Sequence, residues 1–203
     1  MIRNPVPPPG AHPAPAVFTL GTADGGLQIQ VSDLGARWLS CLVPLPDGSR
    51  RMTGGWGWQI GDEGSGAWLG QQAMKLAQAA YDSRAGAGPL VQSVWRQAGT
   101  TREDLLGFCA TAGQGGYASL APLVFEHEAD DPAAVALLDE AARALDALAA
   151  AVHPTLPLAL AGSIALRLAE RLGPALQSRR VEPQGDAAAG ALWLIQQQEM
   201  APA

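Results

Sequence analysis

Apolar and polar positions follow two different rhythms along the chain. Between residues 17 and 51 they alternate. Val17-Phe18-Thr19-Leu20 reads as a short strand, and Leu27-Gln28-Ile29-Gln30-Val31 switches side with period two. A third strand runs over residues 37–43. Asp24-Gly25-Gly26 and Pro46-Asp47-Gly48-Ser49 supply turn residues between and after them. The pattern predicts a three-stranded antiparallel meander, which is stable only if something covers its apolar face.

From residue 52 the rhythm changes to steps of three and four. A glycine-rich stretch over 54–66 opens a helix predicted at 67–82, with Trp68, Leu69, Ala73, Leu76 and Ala80 on one stripe. Short helices follow at 89–97 and 102–111, and another starts near Ala118 with Leu120, Leu123 and Val124. Asp131-Pro132 is a cap followed by proline at the first helical position. It starts a helix with Val135, Leu138, Ala142, Leu145, Leu148 and Val152 inward, which stops before Pro154. The apolar run over 156–160 reads as a buried strand. Gly162-Ser163, a helix at 164–172, a strand or turn at 181–183 and a helix over 187–197 close the chain. The fold class is α/β, mostly helical, with few strands.

The 203 residues suffice for one domain of ordinary size, and an apolar content of 48% allows a core. A net charge of −6 with only 16% charged residues excludes an electrostatic footprint for nucleic acid. No apolar run reaches the roughly 20 residues that span a bilayer, and no h-region follows Arg3, so a cytoplasmic protein is expected. Residues 1–16 form a Pro-rich tail, expected to be extended and disordered. Cys41 and Cys109 sit in apolar settings without metal spacing and read as buried small side chains. His12, His127 and His153 form no metal motif.

The chemistry concentrates between Thr53 and Gly70, where seven glycines let the backbone approach a ligand closely. Asp62 and Glu63 stand at a helix start, where the dipole favours negative charge, and Ser65 is a candidate cap. Trp56 and Trp58 supply flat faces. Carboxylates and free amides beside aromatic faces suit a polyhydroxylated ring, whose hydroxyls need partners while its C–H groups stack. The residues alone support equally a tight turn before a capped helix with two core tryptophans.

Gly54-Gly55-Trp56-Gly57 followed by Gly61-Asp62-Glu63-Gly64-Ser65-Gly66-Ala67-Trp68-Leu69-Gly70 resembles the N-acetylglucosamine and glucosamine kinases of the BadF/BcrA-type ATPase family. The likeness continues at residues 117–124, again at Ala159-Leu160-Ala161-Gly162-Ser163, and ends at residues 182–192. It implies one RNase H-like lobe of the actin and sugar-kinase superfamily over residues 51–198, preceded by the short antiparallel β meander. It further implies that Gly55, Trp56, Gly57 and Asp62 contact an amino sugar, that Ala118 lies against the nucleotide, and that Gly162 and Ser163 flank adenosine. ATP and Mg²⁺ are the cofactors the resemblance brings; no metal ligand and no catalytic residue is carried over.

That family begins with a lobe holding an Asp-Gly-Gly phosphate turn and the aspartate that serves as base. Phosphoryl transfer rests on positioning and charge neutralisation, so those parts are the machinery. Asp24-Gly25-Gly26 and Gly21-Thr22 match the words but not the order or spacing. Residues 17–50 resemble instead the first strands of a galactose mutarotase (aldose 1-epimerase), without that family's catalytic His and Glu. A gene-fusion seam is expected at 46–51. The expected function is therefore an amino-sugar kinase by family, inactive as this chain for want of its first lobe. The alternatives are a non-catalytic sugar-binding or dimerisation module and an aldose 1-epimerase fragment. A lobe missing its companion leaves an apolar face uncovered, which predicts a homo-oligomer.

Overall fold

A computed structural model describes residues 53–160, 162–183 and 185 in full, together with the backbone of four strands between residues 17 and 53. Those strands are β1 (Val17–Gly21), β2 (Gln28–Ser32), β3 (Arg37–Pro44) and β4 (Arg50–Thr53). They pair in chain order, each antiparallel to the next. The β2–β3 ladder slips between Gln30 and Val31, the mark of a bulge. Three strands were expected. The fourth is short and begins with two arginines, so no alternation announces it; pairing with β3 makes it a strand. The Pro-rich stretch 1–16, the turns read at 24–26 and 46–49, and the helix read over 187–197 lie outside the described residues.

The helices begin where the chain turns away from the sheet. Helix α1 (Gly66–Tyr81) is capped by Ser65, whose hydroxyl accepts from the Trp68 amide at 3.1 Å. Helix α2 (Pro89–Ala98) has proline in its first turn. Helix α3 (Arg102–Thr111) starts with a capping box between Thr101 and Asp104, and those hydrogen bonds hold the Asp104 carboxyl below its usual range. Two short helices follow, α4 (Gly113–Ala118) and α5 (Ala121–Glu126), and then the long α6 (Pro132–Val152). Leu69, Leu90, Val94, Leu120, Val124 and Leu138 are fully buried and bring four of these helices and the α4–α5 junction to one core. Helix α6 also packs against β3 and β4, so it touches both the helical core and the sheet.

Several expectations shift by a residue or a turn. The buried stripe of α1 is Ala67, Leu69, Gly70, Ala73, Met74 and Ala77, while Trp68, Leu76 and Ala80 lie at its margin. On α6 the buried positions are Ala134, Leu137, Leu138, Ala141 and Ala142. The helix placed at Ala118 is two helices: Ala118 ends one, and Pro122 sits in the first turn of the next. The strand read over 156–160 shrinks to β5 (Leu158–Ala159), parallel to β6 (Arg180–Val181). The helix read over 164–172 divides into α7 (Ser163–Arg167) and a 3₁₀ turn (Ala169–Arg171), and α8 (Pro174–Gln177) follows. Cys109 is exposed, correcting its assignment to the core. Leu105 is the buried position of α3, and Phe108 rather than Cys109 turns inward, edge-on to Tyr117.

Two helix starts share one carboxylate. Asp131 is 5% exposed. One oxygen accepts from Leu90 N and the other from Ala133 N, each at 2.9 Å, so a single side chain serves the first turns of α2 and α6. Both dipoles favour the negative charge there. Gly88 makes room, since a Cβ at that position would stand 2.6 Å from an Asp131 oxygen. Arg171 then ties the 3₁₀ turn to Asp139 of α6 and to Glu128, 2.6 Å away, and the Glu128 hydrogen bond raises its already high pKa. Because Asp131 caps two helices, Asp131→Ala should cost roughly 2–4 kcal/mol, about twice a single cap. Asp131→Asn, which keeps one acceptor, should lose about half of that. Urea unfolding measures both; equal small losses would show that the caps are dispensable.

Candidate functional site

Residues 54–65 form an open turn built from backbone that most side chains avoid. Gly54, Gly55, Gly57 and Gly64 all have φ between 77° and 85°. Asp62 adopts φ 59° as well, a conformation that Asp tolerates better than most residues. The Gly57 carbonyl accepts from Ile60 N (3.3 Å) and Gly61 N (2.7 Å), and the Asp62 carbonyl from Ser65 N (2.8 Å). A side chain at Gly61 would press on the Trp56 Cβ at 3.1 Å, so the turn folds tightly on itself. Trp56 stands 75% exposed at its crest, with Ile60 at 77%. Of the two readings that the residues left open, a pair of core tryptophans fails at Trp56. Trp58 is half-buried and lies 5.8 Å from the Tyr117 ring.

The turn rests on α1, α4, α5 and α6. A Cβ at Gly64 would meet Leu145 at 2.9 Å, and one at Gly66 would reach Ala118 and Ala121 at 3.7 Å. A Cβ at Gly70 would run into the Tyr117 carbonyl, so only glycine lets α4 cross α1 this closely. That crossing brings Gln114 to Asp62: its amide donates to the carboxylate at 3.2 Å across 52 residues. Ala118 therefore stands beside the start of α1, close under the turn. Gly162 and Ser163 sit elsewhere, at the start of α7, whose Arg167 lies 3.8 Å over the Phe125 ring of α5. Among the described residues, a Cβ at Gly162 would meet nothing within 4 Å.

Gln114 escaped the sequence reading, and Tyr117 entered it only as the first residue of the family-like stretch 117–124. They lie in Gly113-Gln114-Gly115-Gly116-Tyr117, too glycine-rich to show a helical period. Burial, with a smaller part from the Cys109 hydrogen bond, pushes the Tyr117 hydroxyl up to about 12, so the phenol is neutral at any ordinary pH. Two recesses among the described residues lie away from the turn. One of about 380 Å³ is lined by Glu128, Asp130, Asp131 and Val135, and one of about 220 Å³ by Met74, Tyr81, Arg102 and Leu106. The second recess also holds an aromatic ring and a carboxylate, Tyr81 and Asp82, but only the turn sets such groups on a glycine backbone. No helix among the described residues is long and apolar enough to cross a membrane, and no cluster there has three or more metal-ligating side chains.

Residues 39–194 match the profile of the BadF/BadG/BcrA/BcrD ATPase family. The chain is 31% identical over 191 residues to a glucosamine kinase of Vibrio cholerae serotype O1, covering 90% of this chain and 65% of that enzyme. A Chromobacterium violaceum protein provisionally assigned as an N-acetylglucosamine kinase superposes with a TM-score of 0.70 at 39% identity, over 90% of this chain and 60% of its own. A Porphyromonas gingivalis protein with the same provisional assignment shares the fold, with a TM-score of 0.52 at 21% identity, over 92% and 62%. The chain thus spans less than two thirds of the length of each of these relatives. The 90% coverage leaves about a tenth of the 203 residues outside, so the kinase likeness reaches into the strands ahead of residue 46.

The glycine turn is testable by its packing. Gly64→Ala places a Cβ against Leu145 in left-handed backbone and should cost roughly 2–4 kcal/mol. A thermal midpoint within a degree of the parent would show that the turn yields freely. The glycine turn and the profile that spans it agree: the chain belongs to the BadF/BadG/BcrA/BcrD ATPase family.

Proposed function

We propose that this chain is the C-terminal, RNase H-like portion of an ATP-dependent kinase of an amino sugar, N-acetylglucosamine or glucosamine. Gly55, Trp56, Gly57 and Asp62 form one wall of its sugar site. The observation that carries the reading is Trp56 itself. A tryptophan held 75% exposed on a tight glycine turn, with a positioned carboxylate six residues on, is a stacking platform for a sugar ring. Trp56 and Ile60 are exposed on this turn, as they would be on a wall facing a second lobe.

On the nucleotide side Ala118, Gly162 and Ser163 lie against ATP. Gly162 fits that role because no described residue would crowd a Cβ there, which suits a flat base. ATP with Mg²⁺ supplies the phosphoryl group. The chain's own residues bind and orient the sugar, and the amide of Gln114 holds the Asp62 carboxylate. Asp24-Gly25-Gly26 and Gly21-Thr22 differ from the family's phosphate turns in order and spacing, and the reading that goes with this is amino-sugar binding without phosphorylation. A cytoplasmic place, where ATP is abundant, goes with this reading.

A second reading, an association module, is favoured by Trp56 and Ile60, two large apolar side chains exposed on the same turn. A homo-oligomer that covers them would compete with the sugar. Sizing chromatography separates the two, since added hexosamine should dissociate an oligomer built on this face.

Titration calorimetry of the purified chain with glucosamine and N-acetylglucosamine should show weak binding, with a Kd on the order of millimolar. Trp56→Ala should weaken it about tenfold. No heat with either sugar would remove the sugar-site reading. Phosphorylation of either sugar by the chain with ATP and Mg²⁺ would overturn the claim that it lacks the transfer machinery.

A further inference from the structure

We infer that Gln114 is a positioning residue for sugar recognition, which fixes the Asp62 carboxylate from a separate helix; this rests on the sugar site proposed above. Asp62 sits at φ 59° in a turn whose other left-handed residues are glycines. Such backbone is costly for a residue with a Cβ and persists only when its surroundings hold it. Part of what holds it is the Gln114 amide, 3.2 Å from one carboxylate oxygen. A neutral donor is suited to the task. It orients the carboxylate without neutralising its charge, so the group keeps its strength as an acceptor for sugar hydroxyls or an ammonium.

Gln114 is itself well fixed. It lies in the first turn of α4, which is pinned to the glycine turn and to α1 at two further points. Trp58 packs on Tyr117 at 5.8 Å. The Tyr117 carbonyl seats on Gly70, where any side chain would block it. A donor on so constrained a helix cannot follow the carboxylate if it moves, so it defines where the carboxylate points. The same helix ends at Ala118 beside Gly66, so one rigid turn-and-a-half connects the sugar carboxylate to the residue proposed to face the nucleotide. Sugar binding and nucleotide placement therefore share a support.

The experiment uses the full chain and calorimetry with glucosamine and N-acetylglucosamine. Gln114→Leu removes the donor at similar size and should weaken sugar binding about fivefold to tenfold, with the thermal midpoint lowered by only about 2–4 °C for the lost hydrogen bond. Gln114→Glu puts a second carboxyl beside Asp62. Above neutral pH the two charges repel, and binding should fall at least as far. Toward about pH 5 the pair shares a proton that can stand in for the amide hydrogen, and affinity should return to within about threefold of the parent. A merely structural role would not produce that pH-dependent recovery. If the parent binds, Trp56→Ala weakens binding and Gln114→Leu does not, the positioning role is wrong and the sugar site stands. A Gln114→Glu variant with a flat ratio to the parent across this range would also overturn the inference. If the parent binds neither sugar, the sugar site falls and the inference with it.

Discussion

The close crossing of α4 over α1 at Gly70 governs the site. A helix normally keeps a neighbour at side-chain distance. Here the missing Cβ lets the Tyr117 carbonyl come down onto α1. Everything above that contact follows from it: Ala118 beside Gly66, Tyr117 under Trp58, and Gln114 within hydrogen-bond distance of Asp62. Without the crossing the glycine turn would lose the part of its floor that α4 supplies and the Gln114 hydrogen bond to Asp62.

Asp131 does for the helical core what Gly70 does for the site. The starts of α2 and α6 converge on one buried carboxylate, so two favourable dipole ends meet one charge instead of facing each other unpaired. Helix α6 can then run along both the core and the sheet, with Leu145 reaching Gly64 from below. Core, sheet and glycine turn are thereby linked through one long helix.

Much of this was legible in the residues. The Asp131-Pro132 start, the Ser65 cap, the alternating strands and the glycine turn each carry a local signature that survives in one dimension. What was not legible arises from pairs distant in the chain. Four residues beginning Arg50-Arg51 become a strand because β3 offers a ladder. Gly113–Ala118 becomes a helix although glycine disfavours one, because α1 supplies a surface for it to lie on. Cys109 is exposed because α3 turns Leu105 and Phe108 to the core in its place.

By itself the sequence determined the class of fold, the family, and which short turn holds the aromatic and carboxylate chemistry. Those properties depend on residue type and local spacing, and the motif is contiguous. Only the tertiary structure decided that Trp56 faces outward while Trp58 packs inward, that Asp131 serves a helix 41 residues away, and that Gln114 holds Asp62. Each of these is a contact between segments far apart in the chain, set by how closely helices can approach, and no local pattern encodes that distance.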